Sequence, residues 1–411
     1  MIYDVVVIGA GAGGCFAAIR TSELYPGARI CILESARKPL SKVEISGGGR
    51  CNVTHACFEP QELVEFYPRG SKELLGPFYH FQPSDMVAWF KDKGVTLKTE
   101  TDGRMFPITD RSSTIMDCFL TTIRHRGIRL SLSTRAKHWA WSQELNTWSV
   151  HLQDSEVLQS KLLLIATGSD QRTWDTLRAL GHQVVPPVPS LFTFNIRDEQ
   201  LTALQGISKS VVKVSLPKFK LDAEGPLLIT HWGMSGPAIL KLSAWGARVL
   251  YDANYVFDVE INWTGDEEER EVAHWVRALA NANGKKQIIN ISVDPFSSRL
   301  WKYLCHRAGL VVQLTGAEMS QKHADALVRV LCKDTYRVTG KSTFKDEFVT
   351  AGGVALKQVD MRTFESRLIP GLFFAGEVLD IDAVTGGFNF QAAWTGAALA
   401  AEAIAGRLRE G

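Results

Sequence analysis

The sequence predicts an α/β chain in which a doubly wound, parallel-sheet domain is built from both chain ends, with a β-rich and partly helical segment inserted between them. Three observations predict it. Residues 2–8 are an apolar, β-branched run that passes directly into Gly9-Ala10-Gly11-Ala12-Gly13-Gly14 and then into a helical pattern. Pro186, Pro187 and Pro189 mark a change of pattern, and short alternating strands follow them. The glycine-rich, buried-strand style returns late, in Thr350-Ala351-Gly352-Gly353-Val354 and in Gly371 to Glu377. The expected boundaries are 1–188 with 346–411 for a nucleotide-binding domain, and 189–345 for an inserted substrate domain.

Each element has its reason. Ile2 to Ile8 reads as a buried parallel strand, Cys15 to Tyr25 as a helix ended by Pro26-Gly27, and Arg29 to Leu33 as a second buried strand closed by Glu34. The segment from Glu34 to Pro60 reads as turn-rich. Helices are expected at 60–76, 83–93 and 112–126, then a small antiparallel meander over 128–157 and a buried strand from Lys161 to Ala166. In the insert, strands are expected near 191–197, 210–216 and 255–262. A loop from His231 to Pro237 feeds a helix from Ala238 to Trp245, a helix starts in the acidic run Asp266 to Glu269, and 298–333 reads as helical. Gly386-Gly387 opens a C-terminal helix.

Composition narrows the function classes. The chain has 411 residues, with 46 basic against 44 acidic, so no global charge draws it to nucleic acid or membrane. Seven scattered cysteines fit neither a disulfide framework nor zinc-finger spacing and point to a reducing, cytoplasmic setting. The N-terminal run lacks a basic stretch ahead of it and is interrupted by Asp4. It therefore reads as a strand rather than a leader, and no run of about 18 apolar residues calls for a membrane span.

The first glycine motif carries the chemistry. In a strand–turn–helix context Gly9 allows the tight turn, Gly11 lets backbone approach a pyrophosphate, and Gly14 lets helix and strand pack closely. Glu34, 20 residues past Gly14, can accept hydrogen bonds from a ribose and disfavours a 2′-phosphate. Gly13 and Ser35 belong to the same expected set. This is the Rossmann-type dinucleotide fingerprint. Two distant segments favour FAD over NAD: Thr167-Gly168, closing a buried strand after a meander, and the strand end Gly376-Glu377. Flavoproteins of the glutathione-reductase-like group resemble this arrangement, and there an acidic residue, usually Asp, meets the ribityl end of FAD.

Lys42 to Thr54 is the most distinctive stretch. Gly47, Gly48 and Gly49 permit close approach to a flat ligand, Arg50 can pair with phosphate or a ring carbonyl, and Asn52 offers donor and acceptor. The string Gly47-Gly48-Gly49-Arg50-Cys51-Asn52-Val53-Thr54 resembles the signature of the HI0933-like flavoprotein family, also known as BaiN-like or aminoacetone-oxidase-like. The resemblance continues through Thr363 to Arg367, Pro370 to Asp380, and Gly386-Gly387-Phe388-Asn389-Phe390-Gln391. It implies an FAD domain interrupted by a barrel-like and a small helical domain. Following the Gly376-Glu377 strand end, the Gly386-Gly387 turn is itself expected to aim a helix start at the ring. Two positions depart from the pattern: Phe388 stands where a Tyr is typical, and His55 where Asn is frequent.

The expected function is an FAD-dependent oxidoreductase that transfers hydride to an activated C=C bond of a small molecule. NADPH or NADH would visit transiently, because no second dinucleotide motif is present. Two alternatives stay open: an RNA-modifying enzyme reducing the uracil C5=C6 bond, and a non-catalytic FAD-binding protein. Lys209, Lys213, Lys218 and Lys220 are the one sequence hint of an RNA surface. His55 is a candidate proton donor, and His231 with Trp232 and Met234 a candidate pocket lining. A Cys51–Cys57 redox pair is disfavoured by its spacing and by the missing partner motifs.

Overall fold

The computed structural model describes residues 2–342 and 349–410. They divide into two compact units, one from residues up to 188 and from 349 onward, the other from 189 to 342. The domain boundary expected at 345/346 lies outside the described residues.

Along the first segment run β1 (Ile2–Ile8), α1 (Ala12–Leu24), β2 (Ile30–Leu33), α2 (Ser41–Gly49), β3 (Thr54–His55), α3 (Pro60–Leu63), α4 (Ser71–His80), α5 (Pro83–Asp92), β4 (Leu97–Thr99), β5 (Arg104–Pro107) and α6 (Ser112–His125). There follow β6 (Arg129–Ser131), β7 (Ala136–Ser142), β8 (Thr147–Leu152), β9 (Val157–Ile165), α7 (Gln171–Ala179) and β10 (Val184–Pro189). The insert holds β11 (Thr193–Ile196), α8 (Glu199–Thr202), β12 (Ser208–Leu216), β13 (Leu221–Thr230), β14 (Gly233–Ser235), α9 (Pro237–Trp245), α10 (Ala247–Asp252), β15 (Phe257–Asn262), α11 (Glu269–Ala282), α12 (Ser298–Arg307), α13 (Gln321–Cys332) and β16 (Asp334–Ser342). The closing segment adds β17 (Thr350–Val354), β18 (Val359–Asp360), β19 (Glu365–Ser366), β20 (Leu372–Phe374) and α14 (Phe388–Glu410).

The main sheet has the order β18-β19-β20-β9-β1-β2-β6, and the β7–β8 hairpin extends from β9. Strands β20, β9, β1, β2 and β6 are mutually parallel. Their registers align Leu33, Ile8, Ile165 and Phe374, so the carboxyl ends of four strands share one edge. That edge is where open α/β sheets place ligands. Val5, Val6 and Val7 are almost fully buried in the middle of the sheet. Close to the edge, α1 packs against α14, and Phe16 meets Phe81, Trp89, Phe119 and Trp394 with centroids 5.0–6.5 Å apart.

Several expectations change. The meander loses its first strand, because β6 pairs in parallel with β2 instead of joining β7. The helix expected over 60–76 splits into α3 and α4, since Pro68 and Gly70, with φ +84°, interrupt it. The turn-rich segment contains α2, which leaves helical dihedrals at Ser46, Gly47 and Gly48.

In the second unit β11-β14-β13-β12-β15-β16 close into a barrel. Strands β13, β14 and β16 lie outside the strands the sequence predicts: Gly225 and Pro226 interrupt the first, and the second lies in what reads as loop. A Cβ on Gly233 would lie 2.2 Å from the Phe194 carbonyl oxygen, so only glycine admits this pairing. The helical stretch 298–333 is two helices, α12 and α13, parted after Gly309, with φ +74°.

Candidate functional site

The glycines of the first turn divide by what surrounds them. A Cβ on Gly9 would lie 2.4 Å from the Ala166 carbonyl oxygen, and one on Gly14 2.0 Å from the Gly9 carbonyl oxygen. A Cβ on Gly13 would stand 3.3 Å from that of Ala375. These three serve packing. Gly11 is different: its φ of −80° is ordinary, and nothing lies within 4 Å of the place its Cβ would take. Gly11 is the N-cap of α1, which has no side-chain cap and no acid in its first turn. Unpaired N–H groups and the positive end of the helix dipole therefore meet open space.

Glu34 stands at the end of β2. Its Oε2 accepts from the Ala10 N–H at 2.8 Å, its Oε1 from the Ala36 N–H at 2.7 Å, and the Ser35 hydroxyl lies 3.4 Å away. The carboxylate is thus fixed, with a further lone pair on Oε2. Beyond β9 come Thr167 and Gly168, the latter at φ +66° and 3.6 Å, from its would-be Cβ, to Glu377 Oε2. Gly376, at φ +76°, turns the chain after β20, and the Glu377 carboxylate pairs with the Lys42 ammonium at the start of α2.

In the Gly47–Gly49 turn, a Cβ on Gly47 would lie 2.9 Å from the Phe106 ring, whereas Gly48 and Gly49 face open space. The Arg50 guanidinium is engaged elsewhere: it pairs with Glu100 at 2.6 Å and Asp110 at 3.6 Å, and lies 4.0 Å over the Phe106 ring. Asn52 is 9% exposed, and its buried Oδ1 has no hydrogen-bond partner. That oxygen borders the Gly387 turn, 2.9 Å from a Cβ placed there.

Gly386 and Gly387 have φ of +138° and +93°, and a Cβ on Gly387 would lie 2.6 Å from the Thr54 carbonyl oxygen. The first turns of α14 are tied to the β3 segment. The Thr54 hydroxyl donates to Gln391 Oε1 at 2.7 Å, Trp394 Nε1 to the Val53 carbonyl at 2.9 Å, and the Tyr67 hydroxyl to the Phe388 carbonyl at 2.6 Å. The Phe388 ring stacks on Phe66 at 4.2 Å and His55 at 4.6 Å. Asn389 does not cap the helix: its Oδ1 accepts from the Ala383 N–H and one of its two Nδ2 hydrogens goes to the Ala383 carbonyl, both at 3.0 Å. Phe390 stacks on Trp394 at 5.7 Å. Tyr67 and Trp394 carry no signal in the sequence, and Lys42 and Gln391 stand there only inside longer strings, because each acts through a partner distant in the chain.

His55 Nε2 lies 3.0 Å from the Asp102 carbonyl oxygen, which only accepts, so this nitrogen carries the proton. Its Nδ1 is buried without a partner, and burial lowers the ring's pKa. Burial thus favours the neutral ring, whose Nδ1 is the acceptor. The cysteines are all unpaired, and burial pushes the Cys51 thiol up to about 12 and the Cys57 thiol up as well, which suppresses thiolate chemistry.

In the insert, His231 and Trp232 form the turn between β13 and β14, with ring centroids 3.9 Å apart. The four lysines do not make one basic face. Lys209 is buried beside the Phe296 ring and Lys213 pairs with Asp266 at 2.7 Å, leaving Lys218 and Lys220 exposed. Among the described residues no acidic, His or Cys cluster could hold a metal, and no helix is long and apolar enough to cross a membrane.

The model of the HI0933-like protein Rossmann domain matches residues 3–403. The chain belongs to this family. It is 26% identical over 406 residues to the ribosomal RNA dihydrouridine synthase of Escherichia coli, covering 96% of each chain. It is 23% identical over 411 residues to the 3-dehydro-bile acid delta(4,6)-reductase of Clostridium scindens, covering 98% of each. Among solved structures it is similar to a 3-ketosteroid-delta4-(5alpha)-dehydrogenase of Rhodococcus jostii, with a TM-score of 0.54 and 14% identity over 98% of this chain and 96% of that one. That last likeness is one of fold.

Proposed function

We propose that the chain is an FAD-dependent oxidoreductase that reduces an activated C=C bond, with NADPH or NADH as its transient reductant. One observation carries the cofactor assignment: the uncapped start of α1 meets open space at Gly11, at an edge that also holds the carboxylates of Glu34 and Glu377. The residues fit the group. Orphan N–H groups of α1 would receive the pyrophosphate, Glu34 would accept from the adenosine ribose, and Glu377 from the ribityl hydroxyls. Gly48 and Gly49 leave room for a flat ring, and the start of α14 would favour negative charge beside it. The buried, partnerless Asn52 Oδ1 awaits a donor. Bound FAD would supply the hydride chemistry.

The C=C assignment rests on the relatives, since a dihydrouridine synthase and a delta(4,6)-reductase both name the saturation of a double bond. A small-molecule substrate is the first reading. RNA is the second, drawn from the dihydrouridine synthase, although the lysines that hinted at it are dispersed. The reduced cysteines favour a cytoplasmic setting. The test is anaerobic reduction of the flavin-loaded protein with NADPH or NADH, followed by addition of conjugated enones or of uridine-containing RNA. Reoxidation by one class names the substrate. A flavin that neither nucleotide reduces would leave only the non-catalytic reading.

A further inference from the structure

We propose that Lys42 is a positioning residue for the cofactor, holding Glu377 as a charge-compensated acceptor for the ribityl hydroxyls. The inference rests on the FAD reading above and adds a residue to it. Strand order and register set the frame: β2, β1, β9 and β20 end side by side, so Glu34 and the β20 end lie three strand intervals apart, about 14 Å. Between them lie Gly9, Gly11 and Gly168. A pyrophosphate on that path carries two negative charges and has a carboxylate on each flank. Like charges so placed weaken binding unless each carboxylate is compensated.

The two carboxylates are compensated differently. Glu34 is held by the backbone N–H groups of Ala10 and Ala36. Glu377 is held by the ammonium of Lys42. The Glu377 side chain is only 16% exposed, so water screens its charge poorly, whereas that of Lys42 is 50% exposed and makes no part of the core. Gly168 borders the Glu377 carboxylate, so a cofactor backbone can pass close to it. Paired with Lys42, Glu377 loses its repulsion toward phosphate yet keeps lone pairs for hydroxyl donors. The longer arm of Glu, compared with Asp, is what extends the carboxylate toward α2. Lys42 also begins the helix that leads into Gly47–Gly49, so the same contact ties the glycine turn to the β20 end.

The experiment measures FAD affinity of the full-length protein stripped of flavin, by fluorescence titration at low and high salt. Lys42→Met is expected to weaken FAD binding about tenfold at low salt, with the deficit shrinking as salt screens the repulsion. Lys42→Arg should stay within about threefold of wild type, because it keeps the charge. Glu377→Gln placed in the Lys42→Met background should restore most of the affinity, since it removes the charge that Lys42 compensated; a purely structural lysine would show no such rescue. Lys42→Gln serves as a second neutral variant if Lys42→Met lowers the melting temperature. Wild-type affinity in both neutral variants, or a double variant as weak as Lys42→Met, would overturn the proposal. Its failure is distinguishable from failure of the FAD reading: if Gly11→Val abolishes FAD binding while the Lys42 variants bind normally, only the role of Lys42 falls.

Discussion

Gly11→Val is expected to separate cofactor binding from folding. The backbone at Gly11 has φ −80° and ψ −170°, which valine adopts readily, and its Cβ would meet nothing within 4 Å. The cost to the flavin-free protein is limited to a poorer N-cap, about 1 kcal/mol. The added isopropyl group fills the space where a pyrophosphate would approach the α1 N–H groups. Losing two charge-assisted hydrogen bonds at about 1.5–3 kcal/mol each gives about 3–6 kcal/mol. That is a loss of about 10²–10⁴-fold in affinity for FAD. Gly14→Ala is the control, because its Cβ would lie 2.0 Å from the Gly9 carbonyl oxygen and force backbone apart. The assay is paired: thermal melting of flavin-free protein, and titration with FAD. The expected result is a near-normal melt with lost binding for Gly11→Val, and a collapsed melt for Gly14→Ala. A Gly11→Val protein that binds FAD within about threefold of wild type would refute the placement of the pyrophosphate.

Three further outcomes follow from the same geometry. Cys57→Ala should keep flavin content and turnover within a few-fold, since the raised thiol pKa leaves little thiolate; loss of turnover with FAD bound would revive a redox-thiol mechanism. His182 is buried, hydrogen-bonded to the Ser366 hydroxyl at 2.8 Å, and its pKa is lowered by burial, as is that of His55. The unfolded chain therefore binds protons that the folded chain refuses, in the window below about 6.5. Stability should be full above that value and fall as pH drops through the window. Urea midpoints measured from pH 8 to pH 5 check this, and His182→Gln should flatten the slope. Asp382 is fully buried and paired with Arg69, which links the chain ahead of α4 to the loop before Gly386. Asp382→Ala should cost about 3–5 kcal/mol in urea unfolding, as breaking a buried ion pair does, and an unchanged midpoint would show that the pair holds nothing.

Local pattern was enough for the parts whose chemistry is local. The run Ile2–Ile8, the glycine turn and Glu34 lie within one βαβ unit, and each element there follows from its own residues: a β-branched strand, glycines that admit close backbone, an acid at the next strand's end. The family was legible for the same reason, in the unbroken string Gly47 to Thr54. Tertiary structure decided whatever depends on partners far apart in the chain. Arg50 reads as a phosphate or ring-carbonyl ligand in sequence, and only the fold sets its Nη1 against Glu100, fifty residues on. Asn389 looks like a cap in sequence, yet its Oδ1 and one of its two amide hydrogens go to the Ala383 backbone. Strand β13 carries Gly225 and Pro226, which speak against a strand locally, and it forms because barrel closure pairs it with β12 and β14. Lys42 gains its role only when β20 and α2, 335 residues apart at the contact, meet at one edge of the sheet. Hydrogen bonds and ion pairs are satisfied by whichever groups the fold brings within reach, and sequence order records that reach only over a few residues.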